Sequence, residues 1–146
     1  MIDPYVFEKA NGEYLLFFKQ NGISVSRSTD LCDWEFIGYM DGGENVCVME
    51  EEGRYRLIHS PKNGIGVKES DDLTNWKDIG VYTLEQEQWE WASGRLTAAF
   101  TMRAEAASAY RYIVFFHGSR ADSTPETHGS ASLAFAYTND FKSYHF

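Results

Sequence analysis

Short apolar runs separated by turn signals set the rhythm of the chain. Tyr14-Leu-Leu-Phe-Phe18 is wholly apolar and short, as a strand buried on both faces should be. Ile23-Ser-Val-Ser26 instead alternates apolar and polar, the pattern of a half-exposed strand. Asn11-Gly12 and Asn21-Gly22 fall between such runs, where Asn-Gly marks a tight hairpin. With Asp3-Pro-Tyr-Val-Phe7 before them and Trp34-Glu-Phe-Ile37 after, residues 3–38 predict four short antiparallel strands.

The same pattern then returns. Gly22-Ile-Ser-Val-Ser-Arg-Ser-Thr-Asp-Leu-Cys-Asp-Trp34 is answered, 42 residues on, by Gly64-Ile-Gly-Val-Lys-Glu-Ser-Asp-Asp-Leu-Thr-Asn-Trp76. A period of that length is the mark of a repeat architecture, and four strands per repeat is the wiring of a β-propeller blade. In the second unit Asn45-Val-Cys-Val-Met49, Tyr55-Arg-Leu-Ile-His59, Ile65-Gly-Val-Lys68 and Trp76-Lys-Asp-Ile79 supply the strands. An offset of 41 aligns Tyr14 with Tyr55 and sets Asp3 opposite Glu44. A third, stretched unit has strands at Leu96–Met102, Tyr112–Phe116 and Leu133–Tyr137, with Asp140-Phe141 and Tyr144 standing for Asp30-Leu31 and Trp34. Its extra length is assigned to a Trp-bearing acidic insertion around Glu85–Gly94 and to the loop Gly118–Ser130. The expectation is a single all-β, β-propeller-type domain over residues 1–146, with about three four-stranded antiparallel blades at residues 3–38, 44–80 and 95–146.

Recurrence sorts scaffold from candidate site. Asp30, Asp72 and Asp140 recur in every unit, so they are read as acceptors of backbone hydrogen bonds in a turn. The aromatic opening each outer strand is expected to cover the side of the next blade, contributing about 2 to 3 kcal/mol by burial.

Composition narrows the partners. Aromatic residues make up 16% of the chain, which suits strands and flat sugar-stacking surfaces. The formal net charge of −9 argues against nucleic acid and anionic lipid. No apolar run approaches the roughly 20 residues of a membrane helix, and Met1-Ile-Asp-Pro4 lacks the features of a signal peptide. The chain as written is therefore expected in the cytoplasm, or outside it if a leader has been removed. Cys32 and Cys47 are read as two free thiols.

Candidate chemistry lies at unrepeated positions. The innermost strand of each blade lines the central channel, and Asp3, Glu44 and about Thr97 are placed at its mouth. Two carboxylates converging there could act as acid and base on a glycosidic bond. The plainer reading makes Asp3-Pro4 a turn opener and Glu44 a solvated charge after Gly42-Gly43. Trp89 and Trp91 could form a sugar-stacking rim or a hydrophobic plug. His117 and His128 flank the third unit's loop and could hydrogen-bond a sugar, and Arg95 could pair with a channel acid or a substrate carboxylate. His59 is read as a partly buried core residue. Nothing has metal-ligand spacing, and no metal or cofactor is expected.

Asp3-Pro-Tyr-Val-Phe7, then Asn11-Gly-Glu-Tyr-Leu-Leu-Phe-Phe18, then Ser28-Thr-Asp-Leu-Cys-Asp-Trp34 together resemble the opening blades of the five-bladed β-propeller glycosidases, glycoside hydrolase families 43 and 32. The resemblance implies an oligosaccharide substrate and hydrolysis without a cofactor. It also implies a catalytic carboxylate at Asp3, as general base or nucleophile, beside which Glu44 is read from its position as charge partner or acid. Where relatives often carry Glu-Ala-Pro this chain has Glu44-Asn-Val, and the family's general acid lies further along than this sequence extends. A five-bladed ring is about twice this length, so three blades leave two open sheet edges. A symmetric homodimer would close them as a six-bladed ring. The rival expectation is a non-catalytic carbohydrate-binding or assembly module that keeps the blades and lacks the acid.

Overall fold

A computed structural model describes residues 1–122 and 130–146. Three antiparallel sheets follow one another along the chain. The first blade is β1 (Ile2–Glu8), β2 (Tyr14–Lys19), β3 (Ile23–Ser28) and β4 (Glu35–Met40), and the second is β5 (Glu44–Glu51), β6 (Arg54–Ser60), β7 (Ile65–Ser70) and β8 (Lys77–Tyr82). The third is β9 (Arg95–Arg103), β10 (Tyr112–Ser119), β11 (Ser132–Thr138) and β12 (Tyr144–His145). In each sheet the strands pair in chain order, the up-and-down meander of a propeller blade. The all-β expectation and its three four-stranded blades therefore hold.

Two cores hold the blades face to face. Leu15, Phe17, Ile23 and Val25 of the first blade meet Val46, Val48, Leu57 and Leu73 of the second. Ile58, Ile65 and Val67 of the second meet Leu96, Tyr112, Val114, Phe116 and Phe141 of the third. Phe17, Leu57 and Phe116 are fully buried, each contributing about 2 to 3 kcal/mol by leaving water. The innermost strands are also stitched across blades: the Tyr5 hydroxyl donates to the Val48 carbonyl at 2.9 Å, and the Cys47 thiol donates to the Thr101 carbonyl at 3.5 Å. Tyr5 and Cys47 occupy the same place in their strands, facing Phe17 and Ile58 of equivalent neighbours. Burial pushes the Cys47 thiol pKa up, so this cysteine is a packing group and not a nucleophile.

The recurring Asp–apolar–aromatic stretch forms one turn three times. Asp30 Oδ1 accepts from the amides of Cys32 and Asp33, Asp72 Oδ1 from Thr74 and Asn75, and Asp140 Oδ1 from Lys142 and Ser143, all at 2.7–2.9 Å. Ser28, Ser70 and Thr138 hydroxyls accept the amides of Leu31, Leu73 and Phe141, which take left-handed φ of 64°, 65° and 62°. The aromatic then reaches back: Trp34 and Trp76 Nε1 donate to the Leu31 and Leu73 carbonyls at 3.2 Å, and the Tyr144 hydroxyl to that of Phe141 at 3.1 Å. Trp76 meets Phe17 edge-on, with ring centroids 6.2 Å apart. The aromatic thus covers the preceding blade, not the next one as its place in the sequence suggested. An antiparallel meander returns the outer strand beside the face its own turn has already packed.

Backbone donors hold the three aspartate carboxyls below the usual carboxylate range, most strongly at Asp72. A carboxyl depressed in the folded state gives stability that is present above its unfolded pKa and lost as pH falls through its folded one. The midpoint of urea unfolding is therefore expected to fall as pH drops below about 4. Asp72→Asn should be less stable than the parent at neutral pH, the gap closing in acid. A gap that stays constant from pH 7 to pH 2 would show that this carboxylate is not the titrating group.

Candidate active site

The strand pairing gathers one end of every blade. Ile2 faces Lys19, Glu44 faces Ser60 and Arg95 faces Ser119, so the starts of the innermost strands sit beside the ends of the second strands. The aspartate turns lie at the opposite end. Asp3, Glu44, Asn45, Thr97, His117 and Ser132 line one cleft of about 520 Å³ at the gathered end. A second cleft, of about 400 Å³, shares Glu44 and is lined by Lys19, Gly42, Gly43, His59, Lys62 and Arg95.

Inside these clefts the carboxylates are not equivalent. Asp3 takes φ 51° and Asn45 φ 53°, the left-handed region that Asp and Asn tolerate better than most residues. Each lies in the same register shift of its innermost strand, between Ile2 and Tyr5 and between Glu44 and Cys47. Asp3 therefore corresponds to Asn45, while Glu44 and Thr97 correspond to Ile2. The expected equivalence of Asp3, Glu44 and Thr97 is corrected by one residue. The cause is a hairpin between β5 and β6 that is one residue shorter than that between β1 and β2. Tyr14 and Tyr55 then match at an offset of 41 although the strands before them match at 42.

Glu44 is held by Arg95, whose Nη2 donates to Glu44 Oε1 at 3.0 Å with both side chains partly buried. The pairing expected of Arg95 with a channel acid is present. Asn45 Nδ2 donates to Ser60 Oγ at 3.4 Å. His59 is buried, as expected, but it also belongs to the wall of the second cleft. Its Nδ1 accepts the Gly43 amide at 3.0 Å, leaving Nε2 to carry the ring proton. Burial, then the nearby Lys68 charge, push its pKa down to about 4, so the ring is neutral at pH 7. The backbone there is tight: a Cβ on Gly66 would come within 2.3 Å of the His59 ring, and one on Gly43 within 1.6 Å of the Ser60 carbonyl oxygen.

Of the residues singled out from sequence, Asp3, Glu44, Arg95 and His117 meet at these clefts. Trp89 and Trp91 line neither. They stack on each other with centroids 5.4 Å apart, and both stack on Phe116, which closes the core between the second and third blades. That is the plug arrangement rather than a rim. The insertion carrying them is fastened by Gln86, which donates to Asn63 Oδ1 and accepts the Leu84 amide. His128 lies outside the described residues. Lys19 and Lys62, absent from the sequence-based candidates, carry no motif. Only the hairpin ends that bring them to Arg95 give them meaning. Among the described residues no group of three His, Cys, Asp or Glu could hold a metal ion.

No family model matches the sequence, and no curated protein does. Solved structures do match. An endo-arabinase from Bacteroides thetaiotaomicron superposes with a TM-score of 0.72 at 19% identity, covering 99% of this chain and 53% of that one. A family 43 β-1,3-galactosidase gives 0.68 at 12%, covering 98% of this chain and 44% of that one. A sucrose-6-phosphate hydrolase from Lactobacillus gasseri gives 0.66 at 20%, covering 98% of this chain and 33% of that one. The chain thus spans about half or less of the length of these structures. At these identities the likeness is one of fold, and the fold is that of the β-propeller glycoside hydrolases.

Proposed function

We propose that the cleft holding Asp3 and Glu44 is a saccharide site of the glycosidase kind, and that the protein hydrolyses a glycosidic bond in an oligosaccharide. The observation that carries this reading is the meeting of Asp3, Glu44 and His117 in one cleft at the channel mouth of a propeller fold shared with glycoside hydrolases. Asp3 makes no ion pair among the described residues and is the group free to act as base or nucleophile. Glu44 is engaged by Arg95, which suits a charge partner better than a proton donor. The test is turnover of a panel of aryl glycosides by the parent and by Asp3→Asn. Turnover by the parent alone supports the reading, and equal turnover by both removes Asp3 from it.

One observation favours the non-catalytic alternative: Asp3 and Glu44 are the only carboxylates lining this cleft among the described residues, and Glu44 is already paired. A binding module would turn over no glycoside, yet its melting temperature would rise with a sugar.

The open blade faces bear on how the site is walled. Leu31 is 50% exposed where its counterparts Leu73 and Phe141 are 4% and 0% exposed. At the other end Phe100, Met102, Leu133 and Phe135 form an exposed apolar face. We propose that a second copy set head to tail covers both, closing a six-bladed ring around the mouth. A native mass of two chains is expected by light scattering, and a monomer with cooperative unfolding excludes this arrangement.

A further inference from the structure

We propose that the second cleft is an anion subsite, so that the saccharide taken at Asp3 and Glu44 is an acidic one, carrying a carboxylate or a phosphate. The inference rests on the saccharide reading of that neighbouring cleft and deepens it. Its ground is a local reversal of charge. The chain carries a formal −9, yet this cleft gathers Lys19, Lys62 and Arg95 from three separate blades or their hairpins against the single carboxylate of Glu44. In an acidic protein such a collection offsets the negative potential that would otherwise repel an anion from the mouth.

The cations are poised for a ligand rather than for each other. Lys62 is exposed and makes no ion pair among the described residues. Lys19 donates to the Gly42 carbonyl at a long 3.5 Å and makes no ion pair among the described residues. Arg95 commits Nη2 to Glu44, while its buried Nε has no hydrogen-bond partner among the described residues. The Arg95 side chain is 25% exposed at this cleft, and a planar oxyanion is the group whose geometry matches an arginine fork. The wall between the cations is built, not loose. Gly43 is pressed against Ser60 and gives its amide to His59, and the His59 ring in turn closes over Gly66. His59 stays neutral, so it adds shape and no charge of its own. Since Glu44 lines both clefts, an anion held here is a substituent of the same sugar chain that reaches Asp3.

Calorimetric titration with three ligands tests the inference: an oligogalacturonide, a hexose 6-phosphate and a neutral galacto-oligosaccharide. One of the two acidic sugars is expected to bind about tenfold more tightly than the neutral one at low salt, with the advantage shrinking as salt rises. Which of the two prevails identifies the anion as carboxylate or phosphate. In Lys19→Met/Lys62→Met, which alters exposed or half-exposed side chains and keeps an unbranched chain one atom shorter, that advantage should collapse while binding of the neutral sugar is unchanged. Equal affinity for neutral and acidic sugars overturns the anion subsite and leaves the saccharide reading standing. An undiminished advantage in the double variant overturns the role of the two lysines and with it the inference. Binding of none of the three sugars overturns both readings.

Discussion

Asp3→Asn is expected to lower kcat/KM on aryl glycosides by about 10² to 10⁴-fold while leaving sugar binding measurable. The expectation is unusually clean because asparagine is the residue the protein itself uses at the corresponding place in the second blade. Asn45 takes φ 53° where Asp3 takes 51°, so the substitution keeps a left-handed backbone that both side chains tolerate. Only the charge and the basicity of the carboxylate are removed. Asp3→Ala adds a second loss, because alanine at positive φ is strained by roughly 1 kcal/mol. Thermal melts should therefore separate the variants, Asp3→Asn melting with the parent and Asp3→Ala a few degrees below it, with turnover lost in both. An Asp3→Asn protein that melts normally and still turns over substrate would reduce Asp3 to the turn opener of the plainer reading.

The largest effect on stability is expected at Gly43. A Cβ there would stand 1.6 Å from the Ser60 carbonyl oxygen and 2.2 Å from its carbon, both backbone atoms of the paired strand's end. Backbone cannot swing aside as a flexible side chain does, so β5 and β6 must separate where Glu44 faces Ser60. Gly43→Ala should cost about 3 kcal/mol or more, a drop of roughly 10 °C in Tm for a domain of this size. It should also break the hydrogen bond from the Gly43 amide to His59. Gly12→Ala is the control: Gly12 sits at φ +81° with nothing within 4 Å of the added carbon, so it reports conformational strain without the clash. Gly43 is not among the positive-φ glycines, so a loss at Gly43 no larger than that at Gly12 would mean that the close approach is relieved by a small backbone shift.

The blades were legible because their signals are local. Apolar runs of five, Asn-Gly hairpins and a repeated Asp–apolar–aromatic turn each act over fewer than a dozen residues, and the structure assembles them in order. The turn role of Asp30, Asp72 and Asp140 followed from recurrence alone. The site was legible only in part. Asp3, Glu44, Arg95 and His117 converge, but the register joining them depends on a one-residue difference between two hairpins that leaves Tyr14 and Tyr55 in place. Trp89 and Trp91 read equally well as rim or plug, because an insertion has no repeat to fix its direction. Lys19 and Lys62 were invisible for another reason. Their significance is a sum of charges from different blades, which no window along the chain contains.

The register shift at the start of each innermost strand has a consequence for how such a scaffold can change its chemistry. A residue inside the shift is released from the strict in-and-out alternation of the strand, and neither Asp3 nor Asn45 belongs to the cores that pack blade on blade, although Val46 beside Asn45 does. Asp3 and Asn45 can therefore be exchanged for one another, or for glycine, without touching either interblade core. The first two blades each offer such a socket, outside their packed cores, in which a carboxylate can be gained or lost in a single step.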